Sequence, residues 1–353
     1  MRRWPVLTRS LGASGLQVSV LGFGGAPLGN LYTPISDEEA RDTLAAALNS
    51  GFNFFDTAPH YGAGLSERRI GDAIRACEIG SCIVSTKVGR LLYPEADADV
   101  QTLRHGFMSP MPFEQRYDYS YDGIMRSWED SLHLLGLASV EILLVHDIGI
   151  ETHRELHKDR WKELTAGGGY LALEELRAGG QVEAIGLGVN EIKVCEAALD
   201  IGQFDCFLLA GRYTLLEQND SLELFSRCSA SNTSIIAGSP FNSGILITGA
   251  SGSKAGNYNY APPTPEIIER VLAIEAVCRD FDVCMAAAAL QFPLAHKAVA
   301  SVIPGLASVA SVSQAVSWIN TISPVEFWNV LKESDLLAPD VPIPAVEDPH
   351  GSC

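Results

Sequence analysis

Four polar residues of the chain stand where short apolar runs end. Asp56 follows Phe52-Asn53-Phe54-Phe55, with Tyr61 in the loop beyond it; Lys87 follows Ile83-Val84-Ser85-Thr86; His146 follows Ile142-Leu143-Leu144-Val145. Taken singly, each has an ordinary structural use: Asp56 as a turn cap, Lys87 in an ion pair, His146 in a core, Tyr61 in loop packing. Together they can do chemistry. A lysine and an aspartate at one mouth of a sheet form an ion pair whose remaining hydrogen bonds could hold and polarise a phenol. A free tyrosine has a pKa of about 10. An ammonium beside it favours the phenolate and is expected to lower that value, with Asp56 keeping Lys87 charged and aimed. His146 could orient a substrate oxygen. Such a set moves a proton but supplies no hydride, so redox chemistry there needs a cofactor.

The elements that must position these residues alternate along the chain. Candidate strands are Val18–Leu21, Phe52–Phe55, Cys82–Thr86, Glu141–Val145, Ala184–Gly188, Cys206–Leu209, Ser234–Ala237 and Ala300–Ile303. Helical stretches lie between them: one opened by a capping box of Ser36 and Glu39, then Ser66–Ala76, Gly123–Leu135, Gly169–Ala178, Glu191–Asp200, Ser221–Cys228 and Pro265–Phe281. Repeated βα units without hairpin signals between them imply parallel strands, and eight such units close into a (β/α)8 TIM barrel. A doubly wound sheet would want a Gly-rich turn opening a helix after the first strand. Gly22-Phe23-Gly24-Gly25-Ala26-Pro27 is Gly-rich but runs into a proline, and is expected to be a loop across the barrel mouth. Long loops are expected after the third strand (Gly89–Asp122, a folded lid rich in aromatic residues) and the seventh (Ser239–Pro263). Both leave the face where barrel enzymes carry their sites. A C-terminal helical extension, Val325–Leu336, and an irregular tail after about residue 338 complete what is expected to be a single domain over residues 1–353.

A formal net charge of −18 argues against a nucleic-acid partner or an anionic membrane surface, both of which need clustered cations. No apolar run approaches the ~18 residues of a membrane span, and no apolar stretch follows Met1-Arg2-Arg3-Trp4-Pro5 as a signal peptide would require. The eight cysteines are scattered, with no CxxC pair and no Cys/His cluster at metal spacing. Buried reduced thiols, no metal and a cytoplasmic location are therefore expected. The partner is expected to be a small-molecule substrate; the oligomeric state is left open.

At the four polar residues the sequence resembles the aldo-keto reductase family. The matching stretches are Phe54-Phe55-Asp56-Thr57-Ala58-Pro59-His60-Tyr61-Gly62, Ser85-Thr86-Lys87-Val88-Gly89, Leu143-Leu144-Val145-His146-Asp147, Ile185-Gly186-Leu187-Gly188-Val189-Asn190 and Ser301-Val302-Ile303-Pro304-Gly305. They occur in order over nearly the whole chain. The resemblance implies catalysis by Asp56, Tyr61, Lys87 and His146 with NAD(P)H across the barrel mouth. It further implies that Tyr213 stacks on the nicotinamide and Asn190 holds its carboxamide. Ser239-Pro240-Phe241-Asn242-Ser243-Gly244, including Ser239, Pro240, Asn242 and Gly244, would cover the pyrophosphate, and Gly305 with Ser308 would begin the adenosine pocket.

That pocket departs from the family pattern. Ala307 stands where many relatives carry an arginine for the 2′-phosphate of NADP, and Ala315 where an adenine-binding asparagine is usual. With no Lys or Arg in Pro304–Trp318, NAD is the expected cofactor; NADP would need a cation from elsewhere, such as Lys254. Within the family, Pro112–Gly123 and Gly211–Gln218 resemble the branch that includes D-threo-aldose (L-fucose) 1-dehydrogenases and pyridoxal 4-dehydrogenases. The resemblance implies oxidation of a cyclic hemiacetal to a lactone, with an aldose placed ahead of pyridoxal. A general aldehyde or ketone reductase, a redox-sensing subunit and a Schiff-base aldolase using Lys87 are the other readings.

Overall fold

The structure, a computed structural model, describes residues 7–77, 80–250 and 256–344. Its centre is a parallel sheet of barrel strands Phe23–Gly24 (β1), Phe54–Asp56 (β2), Ile83–Val88 (β3), Ile142–His146 (β4), Ala184–Val189 (β5), Cys206–Ala210 (β6), Ser234–Gly238 (β7) and Val299–Ile303 (β8), each hydrogen-bonded to the next. Parallel bridges from Leu21 to Val302 and from Gly24 to Gly305 join the first edge to the last. Strands β3, β4 and β5 are buried along their whole length, as expected where helices cover one face and the barrel interior the other. The helices Asp37–Asn49 (α1), Leu65–Ile74 (α2), Tyr121–Leu135 (α3), Gly169–Ala178 (α4), Ile192–Leu199 (α5), Leu222–Ala230 (α6), Pro265–Asp280 (α7) and Val309–Ile319 (α8) surround it. The Ser36–Glu39 capping box opens α1 with both reciprocal hydrogen bonds. The expected (β/α)8 barrel is the fold.

The first strand is the main revision. Residues Phe23-Gly24, expected in a mouth loop, are β1 itself, and Ala26–Gly29 makes a 3-10 turn. A glycine is needed there because a Cβ on Gly24 would lie 2.8 Å from the Pro304 carbonyl oxygen. Close approach of two backbones, rather than β-branched packing, makes this strand, which is why apolar patterning misses it. Val18 instead belongs to an antiparallel hairpin of Thr8–Ser10 with Gln17–Ser19. Leu11, Leu16 and Val18 pack beneath Phe54, Ile83 and Ile142. Arg9 donates to the carbonyls of Val299 and Leu294 at 2.7 and 2.9 Å. The hairpin thereby closes the N-terminal end of the barrel.

Both long loops lie at the opposite end. The loop after β3 is folded, as expected: Arg90–Pro94 pairs antiparallel with Phe113–Tyr117, and Leu103–Arg104 with Phe107–Met108. Its tip is tied to the loop after β1 by Met108 N–H donating to the Asn30 carbonyl at 3.0 Å. The loop after β7 contains a short helix, Ile245–Thr248, and residues 251–255 lie outside the described set. The C-terminal extension is helical over Val325–Glu333 and buries Phe327 and Trp328. The tail is irregular up to residue 344; the remainder, like Met1-Arg2-Arg3-Trp4-Pro5 and Cys353, lies outside the described residues. Among the described residues no helix is long and apolar enough to cross a membrane.

Candidate active site

A cavity of about 940 Å³ opens at the C-terminal ends of the strands, and Asp56, Tyr61, Lys87 and His146 all line it. The neighbouring strands β2, β3 and β4 carry three of the four, and the loop after β2 carries Tyr61. Lys87 Nζ lies 2.8 and 2.9 Å from the Asp56 carboxylate oxygens, 2.8 Å from the Thr57 carbonyl and 3.1 Å from Tyr61 Oη. Ser85 Oγ donates to Asp56 Oδ1 at 2.7 Å. Room for Lys87 depends on Gly188 across the barrel, where a Cβ would lie 2.9 Å from Lys87 Cε. The His146 ring stands edge-on to that of Tyr61, with centroids 6.1 Å apart. Its backbone carbonyl accepts from Tyr119 Oη at 2.7 Å, so a lid residue anchors the end of β4.

Burial shapes the protonation states. It pushes the Tyr61 phenol well above 10, and the negative charges of Asp56 and Asp147 act in the same direction. This overturns the expected lowering by Lys87. The ammonium is matched by Asp56 at ion-pair distance, so the phenol feels a nearly neutral pair inside a desolvated site. Burial and the charges of Arg90 and Lys87 hold His146 well below its usual value, so it is neutral, and its buried Nδ1 has no hydrogen-bond partner among the described residues. At rest the site presents a phenol donor beside a neutral imidazole.

Away from this centre the cavity changes character. Asn190, Ser239, Pro240, Gly244, Gly305 and Ala307 line it. Ser239, Ser243 and Gly244 have φ of +50°, +63° and +109°, so the wall here is largely turned backbone with small side chains. Lys87 is the one Lys or Arg among the described lining residues. A cavity of this volume, lined by the Tyr61–Lys87 group and by small residues of the loops after β7 and β8, has room for a dinucleotide. The Asn190 side-chain amide lines the cavity and makes no hydrogen bond among the described residues.

Three implied residues are not brought to the cavity. Tyr213 is buried between β6 and the outer helices, its ring centroid 4.6 Å from Phe225 and 5.1 Å from Phe292. The ends of β6 and β7 offer Ala210 and Gly238 to the cavity instead. Asn242 turns inward and donates to the Gly211 carbonyl at 3.4 Å. Ser308 caps α8 in a reciprocal pair with Ser311. Ala315 is buried in the same helix. Each was placed by counting along a motif, which cannot tell which way a turn faces. Lys254 lies outside the described residues.

His60, Asp147, Tyr32 and Tyr260 also line the cavity and were given no role from the sequence. His60, neutral with its pKa pushed down to about 3 chiefly by burial, stands 5.1 Å from Phe107 and 5.7 Å from His146 by ring centroids. Of the lid residues, His105 and Phe107 reach the cavity. Asp147 follows His146, lines the cavity and pairs with the buried Arg90. Its position beside His146 was the available signal. Tyr32 and Tyr260 close the rim from the loops after β1 and β7.

Comparison with known proteins gives a consistent answer. The Aldo/keto reductase family model matches residues 20–335. The chain is 41% identical to pyridoxal 4-dehydrogenase of Microbacterium luteolum over 337 residues, covering 94% of this chain and 98% of that one. It is 36% identical to D-threo-aldose 1-dehydrogenase of a Pseudomonas species over 327 residues, covering 92% and 96%. Its fold resembles the holo form of the aldo-keto reductase AKR11C1 from Bacillus halodurans, with a TM-score of 0.71 at 23% identity over 98% of this chain and 100% of that one. The chain belongs to the aldo-keto reductase family.

Proposed function

We propose that this protein oxidises a cyclic hemiacetal to its lactone with NAD, and that the substrate is a planar aromatic hemiacetal of the pyridoxal type. The observation that carries the reading is the pairing of Tyr61 and His146 beneath an aromatic wall of His60 and Phe107. The hemiacetal hydroxyl hydrogen-bonds between the phenol and the imidazole, which orients the carbon bearing the hydride. Bound NAD would supply the hydride acceptor; the hydroxyl proton passes to Tyr61 once its phenol is ionised, and the C–O bond becomes the lactone carbonyl. Lys87 steadies the phenolate as it forms, and the covered cavity keeps water from the reacting carbon. Asn190, Ser239, Gly244 and Gly305 would hold the dinucleotide.

The similarity to pyridoxal 4-dehydrogenase supports the pyridoxal-type substrate. The aldose reading, placed first on sequence alone, retains the support of the D-threo-aldose 1-dehydrogenase similarity. A Schiff-base aldolase is disfavoured because Asp56, Thr57 and Tyr61 already engage Lys87 Nζ. The test is reduced-nicotinamide absorbance with pyridoxal, L-fucose, D-arabinose and L-galactose, each with NAD⁺ and NADP⁺. Pyridoxal with NAD⁺ is expected to give the highest kcat/KM. Efficient reduction of simple aldehydes with no oxidation of any hemiacetal would overturn the lactone-forming reading.

A further inference from the structure

Asp147 is the charged group of this cavity that the proton-transfer chemistry leaves unused. It follows His146 directly, with φ +45° and its N–H bonded to the Gly188 carbonyl at 3.0 Å. A non-glycine residue in this conformation persists where its surroundings hold it. Here the holding group is Arg90, at the root of the lid, which is buried and ion-paired to Asp147 Oδ2. The same oxygen lies 3.5 Å from His146 Nε2. Asp147 Oδ1 has no hydrogen-bond partner among the described residues, although the residue lines the cavity. Arg90 does not line the cavity; it stands behind the carboxylate and presents it. The arrangement is a carboxylate with one oxygen engaged by the protein and the other available to a ligand.

Resting on the hemiacetal reading above, we propose that Asp147 is the substrate-recognition carboxylate, accepting a hydrogen bond from the protonated ring nitrogen of a 3-hydroxypyridine hemiacetal. Such a ring carries N–H⁺ and a phenolate at neutral pH, so its donor is a charged group on an otherwise flat, apolar frame. A carboxylate is the acceptor suited to it, as in the acidic partners that hold pyridinium nitrogens elsewhere in enzymology. The frame itself meets His60 and Phe107. Arg90 is a positioning residue: burial raises the Asp147 carboxyl's pKa, and the Arg90 charge opposes that rise and aims the group inside a wall where an isolated carboxylate would be costly.

The test compares pyridoxal with 2-(hydroxymethyl)benzaldehyde, whose cyclic hemiacetal has the same shape and hydroxyl but no ring nitrogen. The wild type is expected to prefer pyridoxal by roughly 10- to 100-fold in kcat/KM, the range of one charge-assisted hydrogen bond. Asp147→Asn should erase most of that preference through KM, lowering kcat/KM for pyridoxal well beyond any change seen with the benzene analogue. Asp147→Glu, which keeps the charge and the Arg90 pairing, should restore part of it and guards against a variant that simply misfolds. Equal wild-type efficiency on the two compounds, or equal losses on both in Asp147→Asn, overturns the assignment while the hemiacetal reading stands. A wild type that oxidises neither compound overturns both.

Discussion

The two ends of the cavity are built on different principles. At the Tyr61 end, side chains make the site: two ion pairs, a phenol and two imidazoles are packed within hydrogen-bond or ring-contact distance of one another. At the Ser239–Gly305 end, the wall is left-handed backbone and small uncharged residues. The first end stores electrostatic work in buried charges. The second offers shape. The lesson is that substitution should be felt as lost chemistry at one end and as altered fit at the other.

The largest expected effect tests the chemical end. Tyr61→Phe should lower kcat by about 10²-fold or more, the scale of acid–base catalysis, while NAD⁺ titration of protein fluorescence still reports binding. Near-normal turnover would remove the basis of the contrast. A pH series sharpens it. Because burial and Asp56 raise the Tyr61 pKa well above 10, the phenolate needed for oxidation is scarce at neutrality. Oxidation should therefore rise with pH, by roughly tenfold per unit at the limit, through the alkaline range. Reduction, which uses the phenol, should stay level until that phenol ionises.

At the shape end, Ala307→Arg should raise kcat/KM for NADP⁺ by roughly tenfold, since a guanidinium there would supply the missing phosphate partner. A wild type already favouring NADP⁺ would show that a cation reaches the ribose from another segment.

Glu67 gives a smaller effect, in stability. It is buried beside Thr86, whose Oγ1 donates to it at 2.6 Å, and burial raises its pKa to about 7. The folded state thus holds this proton more tightly than the unfolded chain does. The wild type should lose stability as pH rises from about 4.5, the unfolded value, to about 7, and no more beyond. Glu67→Gln should flatten that slope in thermal melts, gaining on the order of 1–2 kcal/mol at pH 8 after relaxation of the buried site is allowed for. The least effect is expected from Tyr213→Phe. Its hydroxyl is buried without a partner among the described residues, so NAD⁺ affinity should not change and stability should rise by about 1 kcal/mol. A weakened NAD⁺ affinity would return Tyr213 to the cavity.

The same contrast explains how much could be read from the sequence. Asp56, Tyr61, Lys87 and His146 are rare residue types at strand ends, and the period of the apolar runs is enough to bring strand ends together. The barrel and its chemical centre were therefore legible. A backbone cradle leaves no such trace. Ser239 and Gly244 face the cavity while Asn242 between them turns inward, a difference set by local φ angles rather than by residue type. Strand β1 was missed for a related reason, since it owes its place to two glycine-permitted backbone contacts. Asp147 escaped notice because its use depends on Arg90, far away in the chain and adjacent only in the fold.

The hairpin beneath the barrel bears on how the protein could be handled as a material. It seals the face opposite the cavity, so every molecule that reacts must come and go on the other side. Its turn at Gly15 points into open space, where an added Cβ would meet nothing within 4 Å. A tether attached at that turn would orient the whole population on a support with its doorways outward, so that loading density, rather than blocked access, would limit the output of the surface.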